Sequence, residues 1–468
     1  MPVAFPGLRW HEEVDVGIVG AGGCGLTAAH AAAQEGLTVV VWEKAAAAGG
    51  TTALSAGLIP AAGSRMQRDA GIFESGEDFA RDVLARNGGR SDPLLTGRLC
   101  DSSAALVEWL ADARGIPLEL VKHVGDPGHS RLRLHAPPSR SGRALIDGLL
   151  RAVDRRGISV RLATPAMQLW TDADGAAVGV QVKAPRRSPA NIRCRKLVLA
   201  SNGFGANAEL VAQHCPDAVG LPYAGAAGGS GDALAWAADV AAATRDLGAF
   251  QAHASLAVGS NLLIPWSLVT NGALLVNQHG ERFADESRGP AALVSAVRAQ
   301  PGRIAYEIFD ARVLKAVAAD DPHFAGEVVP RAVRRADELV GLAKQFEIDA
   351  EQLALTVAGA APAPPFYGIR VAAALLQTQG GLAIDSSARV VRAGGGIVPN
   401  LYAGGGAAGG LSGPAGDGYL LGNGLLCALG WGKIAGEQAA HAVLAERARA
   451  TQAAMSAAAG ETDGEPTP

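Results

Sequence analysis

"VDVGIVGAGGCGLTAAHAAAQEGLTVVVWEK", residues 14–44, is the stretch of this 468-residue chain that decides its fold. The pattern predicts a strand, a tight glycine turn, an alanine-rich helix and a second strand made mostly of β-branched residues. Two strands joined through one helix in so short a span pair in parallel. The stretch therefore predicts a compact βαβ unit with a parallel pair of strands, which is typical of an α/β fold.

The glycines of the turn follow a GxGxxG pattern, Gly20, Gly22 and Gly25, and Glu43 ends the second strand. Gly20 permits the turn, Gly22 lets the backbone approach a pyrophosphate, and Gly25 lets helix and strand pack closely. The helix N-terminus then faces the phosphates, and Glu43 can accept hydrogen bonds from a ribose diol. A merely tight βα turn is the alternative, but the complete unit favours dinucleotide binding.

The glycine pattern does not distinguish NAD from FAD as the ligand. The next segment, "AAAAGGTTALSAGLI" (residues 45–59), helps to decide between them. Its glycines, threonines and serine follow almost directly after Glu43. A second run of small residues suits a long, extended ligand whose far half runs along the protein. FAD fits this segment better than NAD does.

Composition excludes several other classes of protein. Hydrophobic residues make up 49% of the chain, which is enough for a large core, and the net charge of −4 without a dense basic cluster argues against nucleic acid binding. The five cysteines form no CxxC, CxxCH or zinc spacing, so we expect reduced thiols, no bound metal and no c-type haem on this chain. No segment has the pattern of a signal peptide or a membrane span, so a cytoplasmic protein is predicted.

The domain organisation is indicated by a change in composition. Aromatic residues cluster after about residue 236, and a proline-rich stretch, "APAPPF", lies at 361–366. This predicts an inserted second domain at 236–362, between two parts of an FAD-binding domain at 1–235 and 363–446. The last segment, 447–468, is small, polar and ends in proline, so it is predicted to be a disordered tail.

Several further segments occur together in one order: "GGTTALSAG", "LVLASNGFGAN", "GALLVNQHGERFADE", "TQGGLAID" and "NLYAGGGAAGG". With the glycine turn, they make residues 14–445 resemble the flavoprotein family of fumarate reductases and succinate dehydrogenases, which includes 3-ketosteroid dehydrogenases. The resemblance implies a two-lobed, Rossmann-like FAD-binding domain of the α/β class, with an inserted α+β capping domain that closes over the flavin.

The resemblance also implies which residues contact FAD. The positions that match are Gly20, Gly22, Gly25, Glu43, Lys44, Gly49, Gly50, Thr51, Thr52, Ser55, Ala56, Gly57, Asp232, Gly406, Gly424 and Leu425. Two of the family's features are missing. The histidine that links flavin covalently in some members has no match in "TTALSAG", which implies non-covalent FAD, and the family's glutamate near the ribityl chain is Gly406 here.

Four substrate-side positions distinguish the fumarate-reducing members of the family. His253 is kept, and an arginine is kept as Arg288, although it follows Glu286 more closely than in the family. The third position, a histidine in the family, is Gln377, and the fourth, an arginine, is Tyr419. A dicarboxylate needs cationic partners at both ends, so these exchanges disfavour fumarate or succinate as the substrate.

From this resemblance Arg288 and Tyr419 are predicted to be catalytic. The residues predicted to bind the substrate are His253, Gln377, Ser412 and Gly422. The alternatives are that Arg288 pairs with Glu286 on the surface, that Tyr419 only fills a glycine loop, and that His253 is satisfied inside the capping domain. His129 and His135 are expected to order the FAD-domain surface rather than to do chemistry.

The function implied is that of an FAD-dependent oxidoreductase acting on CH–CH bonds of a small carbonyl compound. We expect α,β-desaturation of a cyclic ketone or a keto acid, with hydride passing to flavin N5 and the α-proton to a side-chain base. One alternative is an ene-reductase of the fumarate reductase type, which acts on an enoate and needs an external electron donor. The other is a non-catalytic flavin-binding protein. The electron acceptor or donor is left open.

Overall fold

The computed structural model describes residues 3–5, 7–33, 36–122, 128–359 and 362–462, except the side chains of 113 and 457–462. The strands in chain order are β1 (Glu12–Val19), β2 (Val39–Trp42), β3 (Ile59–Pro60), β4 (Glu119–Leu120), β5 (Leu134–Ala136), β6 (Ser159–Arg161), β7 (Ala166–Thr171), β8 (Ala177–Val182), β9 (Ala190–Leu199), β10 (Thr244–Arg245), β11 (Phe250–Ala257), β12 (Leu274–Val276), β13 (Ile304–Asp310), β14 (Arg334–Ala336), β15 (Phe366–Thr378), β16 (Gly381–Leu382), β17 (Arg389–Val391) and β18 (Ile397–Ala403).

The α-helices are α1 (Gly23–Ala32), α2 (Gly50–Ala53), α3 (Arg65–Asp69), α4 (Gly76–Asn87), α5 (Pro93–Glu108), α6 (Gly142–Asp154), α7 (Ala208–His214), α8 (Asp232–Ala237), α9 (Ser267–Thr270), α10 (Val294–Arg298), α11 (Ala311–Asp320), α12 (Val329–Ala332), α13 (Leu339–Phe346), α14 (Ala350–Ala358) and α15 (Asn423–Thr462). Short 3-10 or π turns lie at Trp109–Ala113, Pro216–Ala218, Ala238–Val240, Glu286–Arg288, Pro301–Arg303, Phe324–Val328, Gly405–Ala407 and Gly416–Gly418.

The first sheet contains the predicted βαβ unit at its centre. Strands β18, β9, β1, β2 and β6 run parallel in that order, and β17 and the β7–β8 hairpin extend the sheet with antiparallel pairs. Val16, Ile18 and Val41 are fully or almost fully buried, as expected where helices cover a parallel sheet. The predicted α/β fold with a Rossmann-like sheet is confirmed.

Helices α1 and α15 pack against each other through glycines. A Cβ at Gly432 would lie 2.5 Å from the carbonyl oxygen of Cys24, and a Cβ at Gly436 would overlap the carbonyl oxygen of Ala28. The two backbones therefore touch without side chains between them, and the matching order of the contacts means that the helices run parallel. Counted from this contact, α15 extends eight residues further toward its N-terminus than α1 does. The N-terminus of α15 therefore projects about 12 Å beyond that of α1.

A second sheet forms the core of a separate domain. Its order is β11–β15–β13–β12, all antiparallel, and β14 also pairs with β15. One face carries α10 and α11 over Phe309 and Val371, and the other carries α13 and α14 over Ile308. The chain enters and leaves this sheet through one antiparallel pair, because Phe250 lies opposite Thr378.

The limits of the second domain differ from the predicted 236–362. Trp236, Ala237 and Val240 pack in the core of the first sheet, while β15 belongs to the second sheet. The proline-rich stretch therefore precedes a strand of the second domain, and the return to the first sheet comes after Thr378. Composition located the break, but it carries no information on which sheet the following strand joins.

The C-terminal segment also differs from the prediction. Helix α15 continues to Thr462, into the tail predicted to be disordered from 447, because this alanine-rich stretch has high helix propensity. Residues 463–468 lie outside the described part of the chain. Within that part, no helix is long and apolar enough to cross a bilayer.

We expect Gly436→Ala to lower the free energy of unfolding by about 1–3 kcal/mol, because the new methyl group meets a backbone oxygen that cannot rotate away. Gly430→Ala is the matched control in the same helix, since its Cβ would meet only the movable Cδ2 of Leu99, at 2.7 Å. Both changes gain helix propensity, so the difference between them measures the clash. The stabilities are measured by thermal unfolding followed by circular dichroism. Equal stability of Gly436→Ala and Gly430→Ala would contradict this account.

Candidate active site

The glycine turn before α1 has the geometry of a phosphate cradle. Gly20 has a φ of +108°, and a Cβ at Gly25 would overlap the carbonyl oxygen of Gly20. At Gly22 the nearest heavy atom to a Cβ would be 3.7 Å away, so this side of the turn is open. The first N–H groups of α1 lie directly behind it, where an anion is stabilised.

Glu43 is held beside this turn by the backbone. One carboxylate oxygen accepts the N–H of Ala21 at 2.7 Å, and the other accepts the N–H of Ala45 at 2.8 Å. Each oxygen of a carboxylate has a second lone pair, so the group keeps capacity for hydroxyl donors. This arrangement suits the predicted contact with a ribose diol.

Lys44 and Asp232 are two predicted FAD contacts that lie 188 residues apart in sequence, and they bind each other. The Lys44 Nζ donates to Asp232 Oδ2 at 2.8 Å and to Ser230 Oγ at 2.6 Å. Thr51 similarly accepts the Nδ2 of Asn202 at 3.0 Å. These contacts bring the start of α8 and the loop after β9 to the edge of the glycine turn.

The segment from Gly49 to Gly57 leads from the glycine turn toward a cavity. Thr52 Oγ1 accepts the N–H of Gly23 at 3.3 Å, and Ser55 Oγ donates to the carbonyl of Thr52 at 2.7 Å. Ala56 lines the cavity. These hydroxyl groups therefore fix the backbone conformation of the segment and hold it against the start of α1.

The start of α15 contains a buried polar group without a partner. Asn423 is fully buried, and neither Oδ1 nor Nδ2 has a hydrogen-bond partner among the described residues. Leaving an amide so buried and unpaired is costly, which indicates a ligand at this place. Gly424 is close enough to Gln377 that a Cβ would overlap its Nε2, and Leu425 is buried in the core beside it. Sequence reasoning named Gly424 and missed Asn423, although an asparagine before a helix is a common capping signal.

The open glycine turn, the spare acceptors of Glu43 and the unpaired Asn423 together fit FAD. The parallel N-termini of α1 and α15, offset along their axes, would hold the phosphates and the ring end of the same extended molecule. Gly406 departs from the family for a steric reason. A Cβ there would lie 2.7 Å from Asn202 Oδ1 and from the nitrogen of Gly203, which leaves no room for a glutamate.

A cavity of about 170 Å³ lies between the two domains. Three of the residues predicted to be catalytic or to bind the substrate line it, namely Arg288 and His253 from the second domain and Tyr419 from the glycine-rich loop near the C-terminus. Its apolar wall consists of Ala56, Leu58, Val121, Leu263, Ile264, Pro265, Trp266, Val317 and Leu421. The structure thus brings together residues from three distant parts of the sequence.

Arg288 lies at the end of the 3-10 turn Glu286–Arg288, and its side chain is exposed. The alternative of a surface pair with Glu286 is not what the structure has. Glu286 is buried and instead binds the guanidinium of Arg282, at 2.6 and 3.1 Å. The Arg288 guanidinium makes no hydrogen bond or ion pair with any residue in the described part of the chain, so its charge is available to a ligand.

His253 is buried at the cavity wall. Its Nδ1 lies 3.0 Å from the nitrogen and 3.1 Å from the oxygen of Ser255, and its ring meets Trp266 edge-on at 6.0 Å. Burial lowers the pKa of His253 to about 4. The imidazole is therefore neutral at neutral pH and can exchange hydrogen bonds with a ligand without adding a charge.

Tyr419 is held through its own carbonyl and that of Leu421. Arg86 Nε donates to the carbonyl of Tyr419 at 3.0 Å, and His129 Nε2 lies 3.0 Å from the carbonyl of Leu421. Burial, and then the charge of Arg133, lower the pKa of His129 to about 4, so it is neutral. His129 thus contacts the loop beside the cavity and is not among the residues that line it.

Three predicted substrate residues do not line this cavity. Gln377 lies behind Gln251, to which its Nε2 donates at 2.7 Å, because the two residues are opposite each other in β15 and β11. Ser412 is fully buried, and its hydroxyl donates to Gln379 at 3.3 Å. At Gly422 (φ +88°), a Cβ would lie 2.6 Å from Pro60, so this position allows close packing and offers no side chain.

Charged residues at the cavity were missed at the sequence level. They are Arg86, Lys122 and Arg140 from the first domain and Asp320 and Asp321 from the end of α11. Arg140 pairs with Glu119 at 2.8 Å, and burial raises the pKa of Asp321. No motif links these positions, and only the contact between the domains brings them together.

Comparison with known proteins agrees with this geometry. Residues 15–418 match the model of the family described as "FAD binding domain", so the chain belongs to that family. The predicted family, FAD as the cofactor and an FAD-dependent oxidoreductase are confirmed.

The chain is similar to the "NADH:fumarate oxidoreductase" of Klebsiella pneumoniae (strain 342), with 32% identity over 449 residues; the match covers 92% of this chain and 48% of that protein. It is also 32% identical over 452 residues to the "Fumarate reductase (cytochrome)" of Shewanella frigidimarina, covering 92% of this chain and 77% of that one. The chain therefore spans about half the length of the first relative and about three quarters of the second.

Among solved structures, the chain resembles the open conformation of a flavocytochrome c3 fumarate reductase, with a TM-score of 0.82 and 29% identity, covering 93% of this chain and 79% of that one. A 3-ketosteroid-Δ4-(5α)-dehydrogenase from Rhodococcus jostii RHA1 has a TM-score of 0.71 at 22% identity, covering 94% and 99%. This second likeness concerns the fold alone.

Two glycine variants separate folding from FAD binding. Gly25→Ala forces a methyl group into the Gly20 carbonyl, so we expect the FAD-free protein to melt several degrees lower. Gly22 has φ −81° and ψ −172°, which alanine tolerates, so Gly22→Ala should fold normally but weaken FAD binding at least about tenfold. Flavin fluorescence titration and thermal melting of the FAD-free proteins measure both effects, and Gly22→Ala with unchanged affinity would contradict the cradle.

Proposed function

We propose that this protein reduces the carbon–carbon double bond of an α,β-unsaturated carboxylate that carries one carboxylate and a ring-sized apolar group. The observation that carries the proposal is the meeting of Arg288, His253 and Tyr419 in one largely apolar cavity, where the Arg288 guanidinium makes no hydrogen bond or ion pair with the described residues and has only the charge of Asp285 nearby. Once bound and reduced by a separate electron donor, FAD would supply the hydride for the β-carbon. This chain's residues must then bind the carboxylate, supply a proton to the α-carbon and exclude water.

The residue chemistry favours reduction over desaturation. A guanidinium is protonated at all physiological pH values, so Arg288 suits proton delivery to the α-carbon better than proton removal. Because Arg288 is exposed at the cavity edge, solvent can restore its proton. His253, with its pKa lowered to about 4, is a weak base. The relatives that are 32% identical are both named for fumarate reduction, which supports the same direction.

Neutral donors suit the carbonyl end of the substrate. The Tyr419 hydroxyl can donate to a carboxylate oxygen, and the neutral imidazole of His253 can do so through Nε2, which has no partner among the described residues. Donors that are already oriented toward the developing negative charge stabilise it without reorganisation. The apolar wall keeps water from the reacting carbons and strengthens these bonds.

Size and charge limit the substrate further. A cavity of about 170 Å³ is close to the ~150 Å³ that accommodates benzene, so it suits a single ring and not a steroid. The side chains of Arg288 and Lys122 make no hydrogen bond or ion pair in the described part of the chain, whereas Arg86 and Arg140 are engaged. Asp320 and Asp321 would repel a second carboxylate. These features support a monocarboxylate over fumarate.

A second candidate is the desaturation of a cyclic ketone or a keto acid. Asp321 favours it, because burial raises the pKa of this cavity-lining carboxyl group and so makes it a better base. Tyr419 would then donate to the ketone oxygen. The alternative of a non-catalytic protein depended on the shifted Arg288 and on Gly406, and the cavity position of Arg288 argues against it.

We further propose that FAD is bound non-covalently and that electrons come from a separate donor. Thr51–Gly57 contains no histidine to form a covalent link. Acid precipitation of the purified protein should therefore leave the flavin in the supernatant, where its absorbance is measured directly.

The direction and substrate are tested by anaerobic half-reactions. The photoreduced protein is mixed with aryl-substituted acrylates, fumarate and cyclohexenones, and the return of the oxidised-flavin absorption is followed. We expect the aryl acrylates to reoxidise it fastest. In the reverse test, the oxidised protein is mixed with saturated ketones and acids. Fast bleaching by a saturated ketone, without reoxidation by any acrylate, would instead support the second candidate.

Tyr419→Phe should lower kcat about 100-fold, because one preoriented hydroxyl donor is lost while the ring still fills its place. FAD should remain bound, which the absorption spectrum reports. Tyr402→Phe serves as the matched control, since Tyr402 is buried in β18 and does not line the cavity. If the kcat of Tyr419→Phe stays within twofold of wild type, Tyr419 serves only to pack the loop.

A further inference from the structure

Glu307 is a carboxyl group buried in the middle of an apolar core. It lies on β13 between Ala305 and Phe309, and all three residues are fully buried. Its neighbours across the sheet are Leu275 on β12 and Ile369 on β15. Oε1 accepts the hydroxyl of Ser255 at 2.5 Å, and Oε2 has no partner among the described residues. A carboxyl kept in such a place needs an explanation.

Ser255 connects this carboxyl group to the cavity. It follows His253 by two residues on β11, and its backbone nitrogen and oxygen both lie near His253 Nδ1. The pairing of β11 with β15 shifts register between His253 and Leu256, so the strand bulges at this point. Bulges of this kind re-aim side chains beside active sites.

The same bulge also touches the loop that carries Arg288. The N–H of Ala254 donates to the carbonyl of Pro290 at 3.1 Å, and Pro290 follows Arg288 by two residues. The carbonyl of Ser255 accepts the N–H of Ile264, which lines the cavity. The bulge therefore contacts three parts of the cavity wall, and its side-chain anchor in the core is the bond from Ser255 to Glu307.

We propose that Glu307 is a positioning residue: through Ser255 it fixes the bulge that presents His253 to the cavity and braces the loop of Arg288. The inference rests on the proposed function only in assigning His253 to substrate binding and Arg288 to proton delivery. The anchoring itself is a property of the fold.

The anchor is also sensitive to pH. Burial raises the pKa of Glu307 to about 7, and the bond from Ser255 opposes this shift. Among titratable groups, His253 is the neighbour of Glu307, and Ser255 lies between the two. The remaining neighbours are apolar side chains of β12, β15, α10 and α11, namely Leu275, Ile369, Val297 and Val313. The charged side chains of α10 and α11 point elsewhere: Arg298 donates to the backbone of Asp217 and Val219, and Arg312, Lys315 and Asp320 are exposed.

The sign of the pH effect follows from the raised pKa. The folded protein holds a proton on Glu307 that the unfolded chain releases above the ordinary glutamate pKa, so this group's contribution to stability falls as pH rises from about 4.5 to about 7. Ionisation above pH 7 makes the bond from Ser255 charge-assisted and so tightens the bulge.

Three variants test the inference: Glu307→Leu removes the acceptor, Ser255→Ala removes the donor, and Glu307→Gln keeps an acceptor without ionisation. With the flavin-loaded protein, we expect Glu307→Leu and Ser255→Ala each to weaken binding of a saturated aryl propionate about tenfold, and the double variant to be no worse than either. Glu307→Gln should lose less affinity, and the pH dependence near 7 should disappear. Thermal melting reports whether each variant is folded.

A readout independent of turnover is the NMR signal of the His253 imidazole, assigned by its loss in His253→Gln. In wild type we expect this signal to shift with a midpoint near pH 7, and in Glu307→Gln to stay constant there. Unchanged His253 signals and unchanged affinity in folded Glu307→Leu would overturn the inference. If wild type reduces no acrylate but the His253 signal still follows Glu307, the proposed function fails and the positioning role stands.

Discussion

The close contact between α1 and α15 is the constraint on which the site depends. With glycines at 432 and 436, the two helices lie backbone to backbone and parallel, so their N-termini face the same side of the first sheet. One start lies at the phosphate turn and the other beside the unpaired Asn423. Any side chain between these helices would move one end of the FAD site relative to the other.

The two domains line the cavity with different groups. The FAD-binding part contributes backbone N–H groups, small residues, an apolar surface and the cations Arg86, Lys122 and Arg140, while the second domain brings Arg288 and a neutral imidazole. The tyrosine comes from the first domain's closing loop and is held by two backbone carbonyls that flank a fully buried leucine, Leu420. In our proposal the charge at the reacting end is therefore concentrated on Arg288, with uncharged donors around it.

Sequence patterns predicted the parts of this protein in which the local backbone geometry requires particular residue types. The glycine turn, Glu43 and the parallel sheet belong to this group, because each glycine has a steric requirement that its spacing reveals. The domain limits were less accurate, since β15 has the alternation of any half-buried strand and nothing local tells which sheet it joins. The pairing of Glu286 with Arg282 rather than Arg288 could not be predicted from the sequence either, because it depends on the direction in which a short turn ends. Lys122, Arg140 and Glu307 carry no motif at all, and only tertiary contact gives them a place.

The two connections between the domains have a mechanical consequence. Both pass through one narrow ribbon, in which Phe250 lies opposite Thr378 and Thr244 opposite Leu382. Gly380 lies in this ribbon so close to Asp246 that a Cβ would overlap its carbonyl group. A two-stranded ribbon bends easily across its face and resists shear along its length. Beside the ribbon, Pro222 and Ala224 pair with Leu375 of β15 through two backbone hydrogen bonds. A rotation of the second domain about the ribbon would therefore have to break these two bonds or carry the segment around Ala224 with it.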